Sequence, residues 1–346
     1  LFFPALLCTA RTSVPLSLMA RTRPCALARQ RLKTRRLRRR AEAAESLAAV
    51  TAASVAVTSM YVLAQLPRRG RPSWALAQAL APLTWALRGR EVTVKQWAHE
   101  SMGAEVRGVD LREPVPPAVA RRLRTLLGEY GVLLFRGQEL SARDALNGAA
   151  IFGTPVNPKG MEQPINHFLH QGEHVEPRAE DFWHSDNSYM DVPGGPTMLY
   201  ALNVPLTADG TPLSTTLFSD AEAAARDLPQ PLRGRIGKLS AVHKAWTSVS
   251  DQPPEAIHPV LRRNPLTGRE ALFVGPSYVQ QFAEWTPKGS EALLKELFDF
   301  AFRPPYTYSH SWQQGDFLVW DNGRVAHRST LLDLPSGLER DLWRVQ

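Results

Sequence analysis

His184 and Asp186 are the residues in this chain best placed to do chemistry together. They sit two apart in Phe182-Trp183-His184-Ser185-Asp186-Asn187-Ser188-Tyr189. On a β-strand, residues i and i+2 point to the same face, so an imidazole and a carboxylate would reach one point in space. A metal site needs a third ligand. The best candidate lies far downstream, His327 in Trp320-Asp321-Asn322-Gly323-Arg324-Val325-Ala326-His327. Two imidazoles and one carboxylate on one face of an ion leave the other face open, which is the ligand set of non-haem Fe(II) sites.

The H-x-D pair alone is a weak signal, because nine His among many acids will produce one by chance. A second pair, His174-Val175-Glu176, lies between Gln171-Gly172-Glu173 and Pro177 and reads as a loop. His167, His170 and His174 offer a rival, a zinc cluster and hence a hydrolase, although such residues more often belong to a solvated loop or line a substrate mouth.

The charge is unevenly spread. Residues 1–90 hold 16 of the 41 Lys and Arg but two of the 33 acids, leaving 25 bases and 31 acids in residues 91–346. The net charge of +8 therefore belongs to the N-terminal segment, and a nucleic-acid surface on the body is not supported. Cys8 and Cys25 both lie in that segment, so the body has no disulfide framework and no thiolate metal site.

Residues 1–45 read as a basic targeting-like segment, acid-free through residue 41 and rich in Arg, Ser, Thr and Ala. Residues 46–66 are uncharged and long enough to span a bilayer, though rich in Ala, Val, Thr and Ser. Three readings stay open: targeting to a plastid or mitochondrion, a membrane anchor, and a mis-assigned or disordered extension, which would leave the protein cytoplasmic. Leu1 is not Met, so Met19 is an alternative initiator. Residues 67–90 read as a linker with one short Trp-bearing helix, and residues 91–346 as the globular domain.

The elements that must position the candidate ligands follow from pattern. Met102 to Asp110 alternates as a strand. Pro117 to Tyr130 carries a helical stripe at Val119, Leu123, Leu126 and Leu127, ended by Gly131. Val132 to Arg136 is a buried strand. Ser141 caps a helix to about Phe152. A Pro- and Gly-broken loop is expected from Thr154 to Glu180. Strands follow at 197–202 and 215–220, the latter running into a helix at 221–225. A hairpin turn at 264–269 leads into a strand at 271–274. Ser290 is expected to cap a helix through Phe298, and strands at 306–312 and 316–320 complete the pattern. Short strands with few helices predict a mainly β double sheet with covering helices.

In order, the chain shows Gly131-Val132-Leu133-Leu134-Phe135-Arg136-Gly137-Gln138, Phe152-Gly153, Trp183 to Tyr189, Gly315-Asp316-Phe317-Leu318-Val319-Trp320-Asp321-Asn322, His327-Arg328, and Arg340 four before Arg344. From about Val92 to Gln346 this resembles the TauD/TfdA family of Fe(II)- and 2-oxoglutarate-dependent dioxygenases. The resemblance implies a distorted double-stranded β-helix, or jelly-roll, using Fe(2+), 2-oxoglutarate and O2. It implies hydroxylation of a small anionic organic substrate with release of succinate and CO2. His184, Asp186 and His327 would be the metal ligands. Arg340 would pair with the distal carboxylate of 2-oxoglutarate, a role suited to a planar guanidinium, and Thr216 would contact the same cosubstrate. Arg344 would face its C1 carboxylate or the substrate's anionic group. No further catalytic side chain is implied, and Trp183 and Trp320 read as core packing.

The chain departs from the family pattern in places. Leu213-Ser214-Thr215-Thr216 replaces Gly-Gly-Asp-Thr after an apparent insertion at 209–212, which motivates a rival reading, a relative that binds metal and 2-oxoglutarate without turnover. Asn157 and Gly160 stand where taurine-oxidising members place a His and a Tyr, so Asn157 is a substrate-binding candidate and taurine is not the expected substrate. Asp186 argues against the halogenating variant, which leaves that position to halide. The last strand is expected to continue past Gln346.

Overall fold

The computed structural model describes residues 74–99, 101–156, 165–170, 179–213, 215–246, 253–330, 335 and 337–346. Among them no helix is long and apolar enough to cross a membrane, and residues 46–66 lie outside them.

Helix α1 (Trp74–Leu87) precedes strands β1 (Thr93–Gln96) and β2 (Ala104–Arg107). Helix α2 (Pro117–Tyr130) opens on Pro117, whose missing N–H costs nothing in a first turn. It closes on left-handed Gly131 (φ 72°), whose N–H donates to the Leu127 carbonyl. Strand β3 (Val132–Phe135) follows. Helix α3 (Ala142–Ala149) is opened by a reciprocal capping box between Ser141 and Asp144 and stops short of Phe152.

The stretch expected to be a loop contains a strand, β4 (Asn166–His170). Its sequence shows little alternation. It is a strand because it pairs antiparallel with the strand that carries Arg340 and Arg344. Then come β5 (Pro196–Asn203), β6 (Thr215–Asp220), α4 (Ala221–Arg226), α5 (Gln230–Ile236), β7 (Ser240–Lys244), β8 (Glu255–Pro259), β9 (Leu261–Arg263), β10 (Glu270–Leu272) and β11 (Val279–Phe282). Helix α6 (Pro287–Ala301) starts at Thr286, not at Ser290. Thr286 accepts from the Gly289 N–H, while the buried Ser290 hydroxyl donates to the Thr286 carbonyl. Strands β12 (Thr307–Ser311), β13 (Phe317–Asp321), β14 (Val325–Ser329) and β15 (Arg340–Val345) finish the chain.

Seven strands form one sheet in the order β1-β2-β3-β13-β5-β15-β4, and β12-β6-β14 form a second. The Val132-Leu133-Leu134-Phe135 run is apolar throughout because both faces of its sheet are covered. Leu133 and Phe135, with Phe317 and Val319, face a cluster built by α2, α3 and Trp85. Val132 and Leu134, with Leu318, Trp320 and Leu342, face Phe218 and Val325 of the smaller sheet. Two sheets sharing one core make the expected jelly-roll. A third cluster unites α4, α5 and α6 with β7, β10 and β11.

Candidate metal centre and cleft

His184 is not in a strand. It forms a single antiparallel bridge with His327 of β14. Each backbone N–H donates to the other's carbonyl, at 3.0 and 2.8 Å, which sets the two imidazoles side by side, ring centres 4.2 Å apart. The chain then turns, with Asn187 at φ 53°, so Asp186 meets His184 through a turn and not through strand alternation. Asp186 Oδ1 lies 3.6 Å from His184 Nε2 and 3.8 Å from His327 Nε2. Among the described residues these three form the one group with metal-ligand donors converging within 4.8 Å, and all three are buried.

The donor set suits a divalent metal. His184 Nδ1 lies 2.8 Å from the Phe182 carbonyl, which assigns the proton to Nδ1 and the lone pair to Nε2. Burial alone would raise the Asp186 carboxyl. The Arg344 guanidinium, 2.5 Å away, together with His327 and His184, outweighs it and holds the carboxyl well below its ordinary value. Burial, aided by His184 and Arg344, pushes His327 well below 6.5. Anionic carboxylate and neutral imidazole are the forms that bind a cation.

Asn322 is a supporting residue that the sequence did not single out. Its Oδ1 accepts from the Asp186 backbone N–H (3.1 Å) and from Trp320 Nε1 (3.1 Å). Its Nδ2 donates to the Gly195 carbonyl (2.8 Å) and Thr197 Oγ (2.9 Å), and lies 3.4 Å from Asp186 Oδ2. Tyr278, edge-on to His184 at 5.7 Å and to Tyr189 at 5.0 Å, was also missed.

Arg340 and Arg344 share a cleft with His184, His327 and Thr216, as their four-residue spacing on a strand predicts. Arg340 is 3 % exposed, and among the described residues no carboxylate pairs with it; its Nε has no hydrogen-bond partner. Burial without a counter-charge pushes it down to about 9. An unpaired buried cation beside a metal centre is a seat for an anion. Thr216 reaches this cleft although the family's glycines are absent. The inserted residues form a separate turn closed between Thr207 and Thr211, and the Thr215 N–H is held by Thr330 Oγ at 2.9 Å.

Asn157, Gly160 and His174 lie outside the described residues. His167 and His170, three apart on β4, point to opposite faces; His167 is exposed with its Nε2 against the Asp341 carboxylate, and His170 is buried, so these two do not converge on a zinc ion. A larger cleft elsewhere is lined by charges already paired with one another, Arg324 with Asp220, Arg269 with Glu222 and Arg233 with Glu270.

A jelly-roll that gathers two histidines and a carboxylate beside an unpaired buried arginine belongs with the iron-dependent oxygenases that consume a 2-oxo acid. The profile of the taurine catabolism dioxygenase TauD, TfdA family matches residues 93–346, and the chain belongs to that family. It is an Fe(II)- and 2-oxoglutarate-dependent dioxygenase. The alpha-ketoglutarate-dependent 2,4-dichlorophenoxyacetate dioxygenase of Cupriavidus pinatubonensis is 29% identical over 273 residues, 70% of this chain and 93% of that protein. The (S)-phenoxypropionate/alpha-ketoglutarate-dioxygenase of Sphingobium herbicidovorans is 29% identical over 272 residues, 70% of this chain and 90% of that protein. A taurine dioxygenase from Burkholderia xenovorans has a similar solved structure, with TM-score 0.64 and 27% identity over 73% of this chain and 89% of that one.

Proposed function

We propose that the chain hydroxylates a small anionic organic substrate, with His184, Asp186 and His327 holding the iron and Arg340 and Thr216 seating the distal carboxylate of 2-oxoglutarate. The observation that carries this reading is Arg340, a buried cation with no carboxylate partner among the described residues, opening into the cleft of the three metal-ligand candidates. When bound, iron, 2-oxoglutarate and O2 supply the oxidative decarboxylation to succinate and CO2 and the attack on a substrate C–H bond.

The chain's own residues supply ligands, orientation and a dry cleft. Asn322 fixes Asp186. Arg340 presents its guanidinium fork to a carboxylate, replacing the water that such an anion gives up. Arg344, now paired with Asp186, carries a second positive charge at the mouth, suited to the C1 carboxylate or an anionic substrate group. The two phenoxyalkanoate-oxidising relatives support an anionic substrate. Tyr278 lies close to His184 with Tyr189 packed edge-to-face against it, a surface against which an organic substrate can pack.

The test is succinate formation by the full chain with Fe(II), 2-oxoglutarate and air, across aryloxy acids, sulfonates and sulfate esters, beside Asp186→Ala. Substrate-dependent succinate that vanishes in Asp186→Ala is expected. Failure of the Fe(II) form to bind 2-oxoglutarate would overturn the assigned seat. The acid-free, Arg-rich residues 1–41 support delivery to a plastid or mitochondrion; imaging the full chain fused at its C-terminus to a fluorescent protein tests this, and a diffuse cytoplasmic signal would refute it.

A further inference from the structure

Thr216 and Arg340 approach the cleft from different sheets, on β6 and β15. One side chain touches both. Trp312, fully buried just after β12, donates its indole N–H to Thr216 Oγ at 3.0 Å. The Arg340 guanidinium carbon lies over the Trp312 ring, 5.8 Å from its centre.

The chemistry of these contacts is one-directional. An indole N–H can only donate, whereas a hydroxyl both accepts and donates. Thr216 must therefore accept from Trp312. Its own hydrogen is turned away from the indole and stays available for donation to an anion in the cleft. Phenylalanine at position 312 would leave the Thr216 hydroxyl free to rotate and to present a lone pair instead, which repels a carboxylate. The ring face meanwhile attracts the guanidinium and limits where an otherwise unpaired cation can settle. Edge-on contact with His310, 4.7 Å between ring centres, fixes the ring in turn.

We propose that Trp312 is a positioning residue for the distal carboxylate of the 2-oxo acid, setting Thr216 as a donor and Arg340 as a fixed cation. This rests on the seat assigned above to Thr216 and Arg340. Among the described residues Trp312 makes no hydrogen bond or ring contact with His184, Asp186, His327 or Arg344, so the effect expected of it falls on the end of the cosubstrate that carries the second carboxylate.

The experiment compares two probes by calorimetry on the Mn(II)-loaded full chain. N-oxalylglycine is a non-reacting analogue that carries the distal carboxylate. Oxalate can bind the metal and lacks it. Trp312→Phe is expected to weaken N-oxalylglycine about tenfold, the loss of one oriented donor to a charged group, and to leave oxalate unchanged. Equal weakening of both probes would mark a structural role and overturn the proposal, as would no weakening of either. Replacing Trp312 with 3-benzothienylalanine keeps the bicyclic shape and removes only the N–H, so it gives the same comparison if the Phe variant does not fold. Thr216→Val separates the two layers of the argument. If it weakens N-oxalylglycine selectively while the position-312 variants do not, the positioning role fails and the seat stands. If neither Thr216→Val nor Arg340→Gln alters N-oxalylglycine binding, the seat itself is wrong. In the double variant Trp312→Phe/Thr216→Val, the loss should be smaller than the product of the single losses, because the indole acts partly through Thr216.

Discussion

Arg340→Met separates stability from function at a single buried atom group. Burial lowers Arg340 from its ordinary value to about 9. At about 1.4 kcal/mol for each pH unit between those values, holding the charge costs up to about 5 kcal/mol. The sign is fixed by linkage. At pH 7 the guanidinium is protonated in both folded and unfolded chains, so the cost is fully present, and it would be relieved only as pH rises through about 9. Methionine keeps much of the apolar stem and removes the charge. It also forfeits the contact with the Trp312 face, about 1–2 kcal/mol, and some packing. The net expectation is a ligand-free protein more stable by about 2 kcal/mol, or a Tm about 4–8 °C higher. On the seat proposed for it, the same change leaves the distal carboxylate of 2-oxoglutarate without its partner. Breaking one half of a buried charge pair costs about 3–5 kcal/mol, so affinity should fall by about two to three and a half orders of magnitude. Thermal melts with and without Mn(II) and N-oxalylglycine read both effects. The wild type should gain stability with the analogue, whereas Arg340→Met should start higher and not respond. A variant that melts below the wild type and still responds to the analogue would refute the reasoning.

Asn322→Ala should lower Mn(II) affinity about 10- to 100-fold, because the amide that holds the Asp186 carboxylate is gone; Mn(II) binding followed by paramagnetic resonance, with unchanged affinity as the contrary result, decides it. Gly275→Ala would put a Cβ 2.6 Å from the Trp183 carbonyl, so the Trp183–His184 backbone must shift and metal affinity should drop about tenfold; the same titration would show otherwise. His243 is buried against Phe273 and His258, and burial first, then His258 and Arg262, push it down to about 3. Between that value and about 6.5 the unfolded chain takes up a proton that the folded chain refuses, so stability should fall by about 2 kcal/mol from pH 7 to pH 5. Urea unfolding at the two pH values measures the slope, which His243→Phe should flatten; an unchanged slope in the variant would remove His243 as its source.

The parts of this protein legible in its sequence are those set by local rules. Pro117 and Gly131 bracket α2 because each relieves a constraint at one helix end, and the Val132–Phe135 run is apolar because its sheet is covered on both sides. Where two local rules compete, the weaker can look like the signal. Ser290 resembles a cap, yet Thr286 followed by Pro287 is the stronger start, and Ser290 spends its hydroxyl on the Thr286 carbonyl. Strand β4 carries little signal of its own because its partner β15 imposes it. Strand alternation predicts the convergence of His184 and Asp186, whereas the chain achieves it with a turn and a two-bond bridge to His327; the sequence points to the candidate ligands without naming the path. Asn322 reaches Asp186 across 136 positions and Trp312 reaches Thr216 across 96, and sheet register sets such distances, which no local pattern encodes. The same holds for the charge at Arg340. A sequence can place an arginine on the correct face, but whether an acid answers it depends on every strand around it. In this fold the cleft around it is lined by His184, His327, Thr216, Ser329, Arg344, Glu180 and apolar side chains; among the described residues Glu180 makes no ion pair with Arg340, and Asp186, the carboxylate of the metal-ligand candidates, is held by Arg344. A counter-ion for Arg340 must then arrive with a ligand, and a metal centre beside it favours a ligand with a second donor end; the 2-oxo dicarboxylate that the family consumes has both.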